Sequence, residues 1–144
     1  MLAKPSWWLE NEIRPVVEKF EADPMSKDLA RLAVFDMCHF ADRVFEFCKQ
    51  QKVEYLEGRS VEKAIQQVNQ SNPALTLIAR VANASKHHLI KRKNVQYAAS
   101  GQFTGRVNAV WICDENGQAR WTVVAALWQA MEFWRRWLQT HPDA

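Results

Sequence analysis

The residues best equipped for chemistry lie in the run RVANASKHH, from Arg80 to His88. An arginine fork binds phosphate oxygens at two points, and histidine exchanges protons near neutral pH. Cleaving RNA through its own 2′-hydroxyl needs those two things, a proton-moving group and a cation facing the developing phosphorane charge, and needs no metal. On a helix of 3.6 residues per turn, Arg80, Asn83 and His87 share one polar stripe with Thr76. Arg80 and His87 then stand about 10 Å apart along the axis, so both can turn toward one phosphate. Asn83 supplies a neutral hydrogen-bond partner and Lys86 an added charge. His88 faces about 100° away and joins only where the helix ends.

The charge distribution points to the same part of the chain. Net charge is only +3 over 144 residues, yet residues 63–113 contain seven bases and no acid. These include Lys63, Arg80, Lys86, Lys91, Arg92, Lys93 and Arg106, a local field suited to a polyanion. The competing expectation is that acids on an earlier helix cover these bases. With 48% hydrophobic and 24% charged residues, the composition is that of a single globular domain over 1–144. No apolar run is long enough for a membrane span and MLAKPSWWLENE is not a secretory leader, so a cytoplasmic protein is expected. Cys38, Cys48 and Cys113 form no CxxC or CxxH pair, and buried thiols are expected rather than disulfides or zinc. There is no Gly-rich phosphate loop, HExxH or GxSxG, and neither metal nor cofactor is called for.

The elements that must position the stripe follow from periodicity and caps. Ser6 is a candidate cap for a first helix that Pro15 kinks or delays. Ser26 opens a long helix to about Gln51, with Leu29, Ala33, Met37, Phe40 and Val44 on its buried face. His39, on the opposite side of that helix, reads as a surface histidine among acids. Ser60 caps a short helix to about Gln70, and Asn72-Pro73 starts the helix that carries RVANASKHH. This helix is expected to end near His88 to Arg92, where cations suit the negative end of its dipole. Residues 94–106 read as a loop or weak strand. VWICDENGQARWTV reads as a β-hairpin over about 107–123, closed at Asn116-Gly117. That closure sets Cys113 opposite Arg120, Ile112 opposite Trp121 and Val110 opposite Val123. The last helix, AALWQAMEFWRRWL, is apolar over a wide arc and suits a core or a homodimer interface. The expected fold is mainly α, a bundle of four or five helices with one hairpin packed before the C-terminal helix.

A helical bundle with an arginine, a short gap and a histidine resembles the HEPN superfamily. The resemblance implies a metal-independent endoribonuclease of a toxin or defence system, with Arg80 and His87 as the catalytic pair and dimerisation bringing two motifs together. Val81 stands where that family prefers a polar residue. Residues 74–140 are also similar to small bacterial proteins with an ANxxKH-type segment. Asn83, Lys86, His88, Lys91, Arg92 and Lys93 are the accompanying nucleic-acid-binding candidates. A second arginine–histidine spacing occurs at Arg135 or Arg136 with His141. Two other readings stand beside the nuclease. One is a non-catalytic interaction or accessory protein, antitoxin-like, with Arg80, Asn83 and His87 as a buried polar network and the Trp-rich helix as its partner surface. The other is a nucleic-acid binder that does not cleave.

Overall fold

The computed structural model describes residues 3–53, 56, 58–87, 96–100, 109–113 and 119–144, with side chains described through Asn83 and again from Trp121. Among the described residues the chain is mainly α, with five helical segments packed together.

The first segment departs from its expected start. Helix α1 (Pro5–Trp8) begins at Pro5, with Lys4 at the N-cap and no side-chain cap, so Ser6 does not serve. Pro at the first helical turn loses nothing, because its missing N–H would have no partner there. The expected kink at Pro15 takes the form of a π-helical turn, Leu9–Ile13, in which the Arg14 N–H donates to the Leu9 carbonyl five residues back. Widening the turn takes up the ladder bond that Pro15 cannot donate. Helix α2 (Arg14–Ala22) then continues the segment.

Helix α3 (Lys27–Gln50) is the spine. The Ser26 hydroxyl accepts from the Leu29 N–H at 3.1 Å and starts it. Ala30, Ala33, Val34, Met37, Phe40, Ala41, Val44 and Cys48 follow the three-and-four spacing and are buried. Helix α4 (Val61–Gln70) is capped by Ser60, which accepts from the Lys63 N–H at 3.2 Å. Helix α5 (Pro73–His87) follows after two residues. Asn72 Oδ1 accepts from Ala74 N–H at 2.9 Å and more weakly from Leu75 N–H at 3.4 Å. The expected end of α5 between His88 and Arg92 lies outside the described residues.

The β region corrects the expectation of one hairpin on several counts. Three strands, β1 (Gln96–Ser100), β2 (Ala109–Cys113) and β3 (Ala119–Thr122), lie antiparallel in the order β1-β2-β3. Ile112 pairs with Trp121 as expected, but an irregularity beside it sets Cys113 against Ala119 rather than Arg120. Val110 pairs with Ala99, and Val123 is already helical. Residues 114–118, which hold the expected Asn116-Gly117 turn, lie outside the described residues. Thr122 explains the early end of β3: its hydroxyl accepts from the Ala125 N–H at 3.1 Å, so it caps helix α6 (Val123–Thr140).

The core sits where α6 meets α2, α3 and α5. Ala126, Leu127, Ala130, Met131, Trp134 and Leu138 form its buried seam. The apolar arc that suggested a homodimer is therefore largely covered within the chain. Exposed large apolar residues lie elsewhere, at Trp7, Met25 and Leu32. No described helix is long and apolar enough to cross a membrane. Burial sets the expected cost of truncation. Trp134→Ala should lose about 3–5 kcal/mol of unfolding free energy and Leu32→Ala less than about 0.5 kcal/mol, measured by urea titration. Comparable losses for the two would contradict this packing.

Candidate functional site

Helix α5 packs on α3, α4 and α6 and touches β1, so one side of it is committed to the interior. Ala74, Leu75, Ile78, Val81 and Ala82 are buried. Val81, the apolar residue directly after Arg80, thus serves the core. Arg80 and Asn83 are exposed on the side away from it. Thr76, at the start of the stripe, has a structural role instead. Its hydroxyl lies 2.6 Å from the Asn69 carbonyl and 3.0 Å from that of Asn72, tying the end of α4 to the first turn of α5. The stripe therefore changes character along its length, from a helix-joining hydroxyl to a solvent-facing arginine and amide.

This geometry goes against a buried polar network at Arg80 and Asn83. Lys63 and Arg80 are the two bases of the 63–113 window whose side chains are described, and neither forms an ion pair with a described acid. The acids of α3 engage other groups: Asp42 lies 2.9 Å from His39 Nδ1 on an exposed surface. His39 is thus the surface histidine expected among acids. Lys86 and His87 belong to α5, but their side chains fall outside the description, as do His88, Lys91, Arg92, Lys93 and Arg106 altogether. No group of three potential metal-ligating side chains occurs among the described residues.

The second arginine–histidine spacing is engaged within the fold. Arg135 makes a two-point contact with Glu10 on the π-helical turn, 2.7 Å from Nε to Oε1 and 3.2 Å from the second guanidinium nitrogen to Oε2. That hydrogen bond to Arg135 holds the Glu10 carboxyl below the usual carboxylate range and raises the guanidinium in turn. Arg136 pairs with Glu132 one turn back. His141 stacks on Trp137 at 3.9 Å between ring centroids and 9° between planes. Its Nδ1, 2.7 Å from the Trp137 carbonyl, must donate there, because a carbonyl only accepts.

Two features escaped the sequence reading. Arg43 lies over the Trp8 ring at 3.9 Å, a cation–π contact joining α1 to α3. A cleft of about 340 Å³ opens between α4 and the C-terminal half of α6, lined in part by Phe45, Arg59, Gln67, Phe133, Trp137 and His141. Its residues come from four separated stretches of chain. In the sequence the aromatics of α6 read as core or as a dimer interface rather than as the wall of a cleft.

No family model, curated protein or solved structure matches this chain.

Two acids give the stability opposite pH signatures. Burial raises the Asp36 carboxyl, with Arg43 and His39 opposing and Glu12 reinforcing. A carboxyl with a raised folded-state pKa destabilises the fold once ionised, and relief comes as pH falls through its folded value. Asp36→Asn should therefore raise the melting temperature at neutral pH, by no more than about 1 kcal/mol in free energy, with the gain shrinking on acidification. Glu10 has a depressed value, so its support is present above the unfolded carboxylate pKa and is lost as pH falls through the folded one. Glu10→Gln should lower the melting temperature at pH 7, and the deficit should close in acid. Parallel melts of both variants from pH 7 to pH 3 check the two signs, and equal slopes would contradict the assignment.

Proposed function

We propose that this protein acts on RNA as a HEPN-like, metal-independent endoribonuclease, with Arg80 and His87 as its catalytic pair. The observation that supports this reading is the outward placement of Arg80 and Asn83 on α5 while Ile78, Val81 and Ala82 are buried behind them. An arginine with no described acid beside it keeps its fork for a phosphate. In the proposed reaction His87 takes the proton from the 2′-hydroxyl as that oxygen attacks the adjacent phosphorus. Arg80 stabilises the charge that gathers on the phosphorane oxygens. The 5′-oxygen then leaves and takes up a proton, giving a cyclic phosphate end. Asn83 holds the phosphate between them, and Lys86, His88, Lys91, Arg92 and Lys93 lead the strand in by charge. In this proposal two copies of the chain bring their α5 faces together, and a protein antitoxin is a fitting partner for such a surface. The strands β2 and β3 are proposed to close as a hairpin at Asn116-Gly117.

The exposure of Lys63 and Arg80 favours one second reading, binding without cleavage. That reading differs in leaving the strand intact while its affinity falls steeply with salt.

The deciding experiment is cleavage of labelled single-stranded RNA in EDTA by wild type, Arg80→Ala and His87→Ala. Wild type should cut, and each variant should lose about a hundredfold or more in rate. Arg80→Ala should unfold within about 0.5 kcal/mol of wild type, as expected for an exposed side chain. Uncut RNA with all three proteins, or equal cutting by all three, would overturn the proposal.

A further inference from the structure

Helix α3 is buried along one side and open along the other. On the open side Leu32, Phe35, His39, Asp42 and Glu46 follow one another at alternating intervals of three and four residues. That repeat is the spacing of a seam that lies along a second helix. Leu32 is 49% exposed, one of the few large apolar side chains left to water. Phe35, partly buried, stacks on the ring of His39 at 6.4 Å and 12°, and Asp42 holds that ring at 2.9 Å from Nδ1. Leu32, Phe35 and the imidazole thus form an ordered strip on the face that no other element of the chain covers.

Charges at the two ends of the seam say what fits it. Asp28 and Arg31 stand near the start of α3, and Glu46 and Lys49 near its end. All four are exposed, and none pairs with a described residue. Arg31 and Glu46 are about 22 Å apart along the axis, too far to meet within one chain. They are equally distant, about 11 Å, from the midpoint between Cys38 and His39. A twofold axis through that midpoint sets Arg31 of one copy against Glu46 of the other. The same axis sets Asp28 against Lys49, about 16 Å out on either side. One register therefore satisfies both pairs twice over. A parallel pairing would oppose each charge to its own like, and moving the axis back by about half a turn would oppose Asp28 to Glu46. Any partner needs the complement of this pattern, and the chain itself, reversed, carries it.

We propose that this protein self-associates through the outer seam of α3, two copies lying antiparallel about a twofold axis. Phe35 and His39 stand beside the axis, Leu32 lies further out, and the Arg31–Glu46 and Asp28–Lys49 pairs close the ends. A narrow apolar strip with exposed ion pairs suits a weak dimer, with a dissociation constant of about 0.1 mM. The interface is independent of the nuclease reading and of the α5 contact proposed with it, because no residue of the seam lies on α5.

The test is sedimentation equilibrium of the full-length protein from about 10 µM to 1 mM, a range that brackets that constant. Wild type is compared with Arg31→Glu, Glu46→Arg and the double variant. Wild type should pass from monomer to dimer. Each single swap turns two attractions into repulsions and should weaken the dimer about tenfold, and the double variant should recover to within about twofold of wild type. Because the two positions cannot meet in one chain, that recovery reads a contact between copies. Both sites are exposed, so the variants should melt with wild type. Wild type that stays monomeric throughout the range would overturn the proposal, whatever the variants do. So would a double variant no tighter than the single swaps, or a dimer indifferent to both swaps. A dimer that survives both swaps and is lost with Arg80→Ala would assign self-association to α5 instead.

Discussion

The structure depends on one aromatic contact, the burial of Trp134 of α6 against the middle of α3. Its ring meets Phe40 edge-on at 5.2 Å and Trp137 at 5.7 Å, and Phe133 and Phe45 stand at 5.3 and 6.5 Å. The indole N–H finds no hydrogen-bond partner among the described residues. Leaving such a donor dry costs about 1–3 kcal/mol, whereas burying some 200 Å² of ring stabilises by about 5 kcal/mol. Burial wins, which is why a polar atom can be tolerated at the centre of the bundle. With α6 held to α3, α5 has a fixed seat against both. Its inner face fills with Ile78, Val81 and Ala82, and the face carrying Arg80 and Asn83 turns to water.

Much of this scaffold was legible in the sequence because it depends on local rules. Ser26, Ser60 and Asn72 announced helix starts, and each accepts the backbone N–H that its position predicts. The seams of α3 and α6 followed from the three-and-four spacing. The failures are local too. Pro5 displaced Ser6 as the initiating residue, and the π-helical turn took up Pro15 by a change of hydrogen-bond period that a regular helical pattern does not express. Thr122 can continue a strand or cap a helix. Capping prevailed, which moved Val123 out of the expected strand pairing.

The candidate sites differ in how readable they were. A stripe on one helix is a matter of spacing, so Arg80 and Asn83 could be placed together in advance. Which side of the helix met water was not readable, because Leu77, Ile78, Val81 and Ala82 flank the stripe closely in sequence and only packing decides which of them are covered. The α4–α6 cleft was beyond reach for a different reason. Phe45, Arg59, Gln67 and Trp137 meet only through tertiary structure, and each alone reads as core or solvated surface. Arg135 and His141 show the converse. Their spacing imitated a catalytic pair, whereas in the fold one clamps Glu10 and the other stacks on Trp137.

The central claim is that the outward face of α5 receives RNA. Backbone amide shifts of the intact protein during titration with a short single-stranded RNA test it most directly, in EDTA and at low salt. The account requires the largest changes on α5, at Arg80, Asn83 and the turn that ends in His87, fading as salt rises. Binding that leaves α5 unmoved and shifts other elements would contradict it.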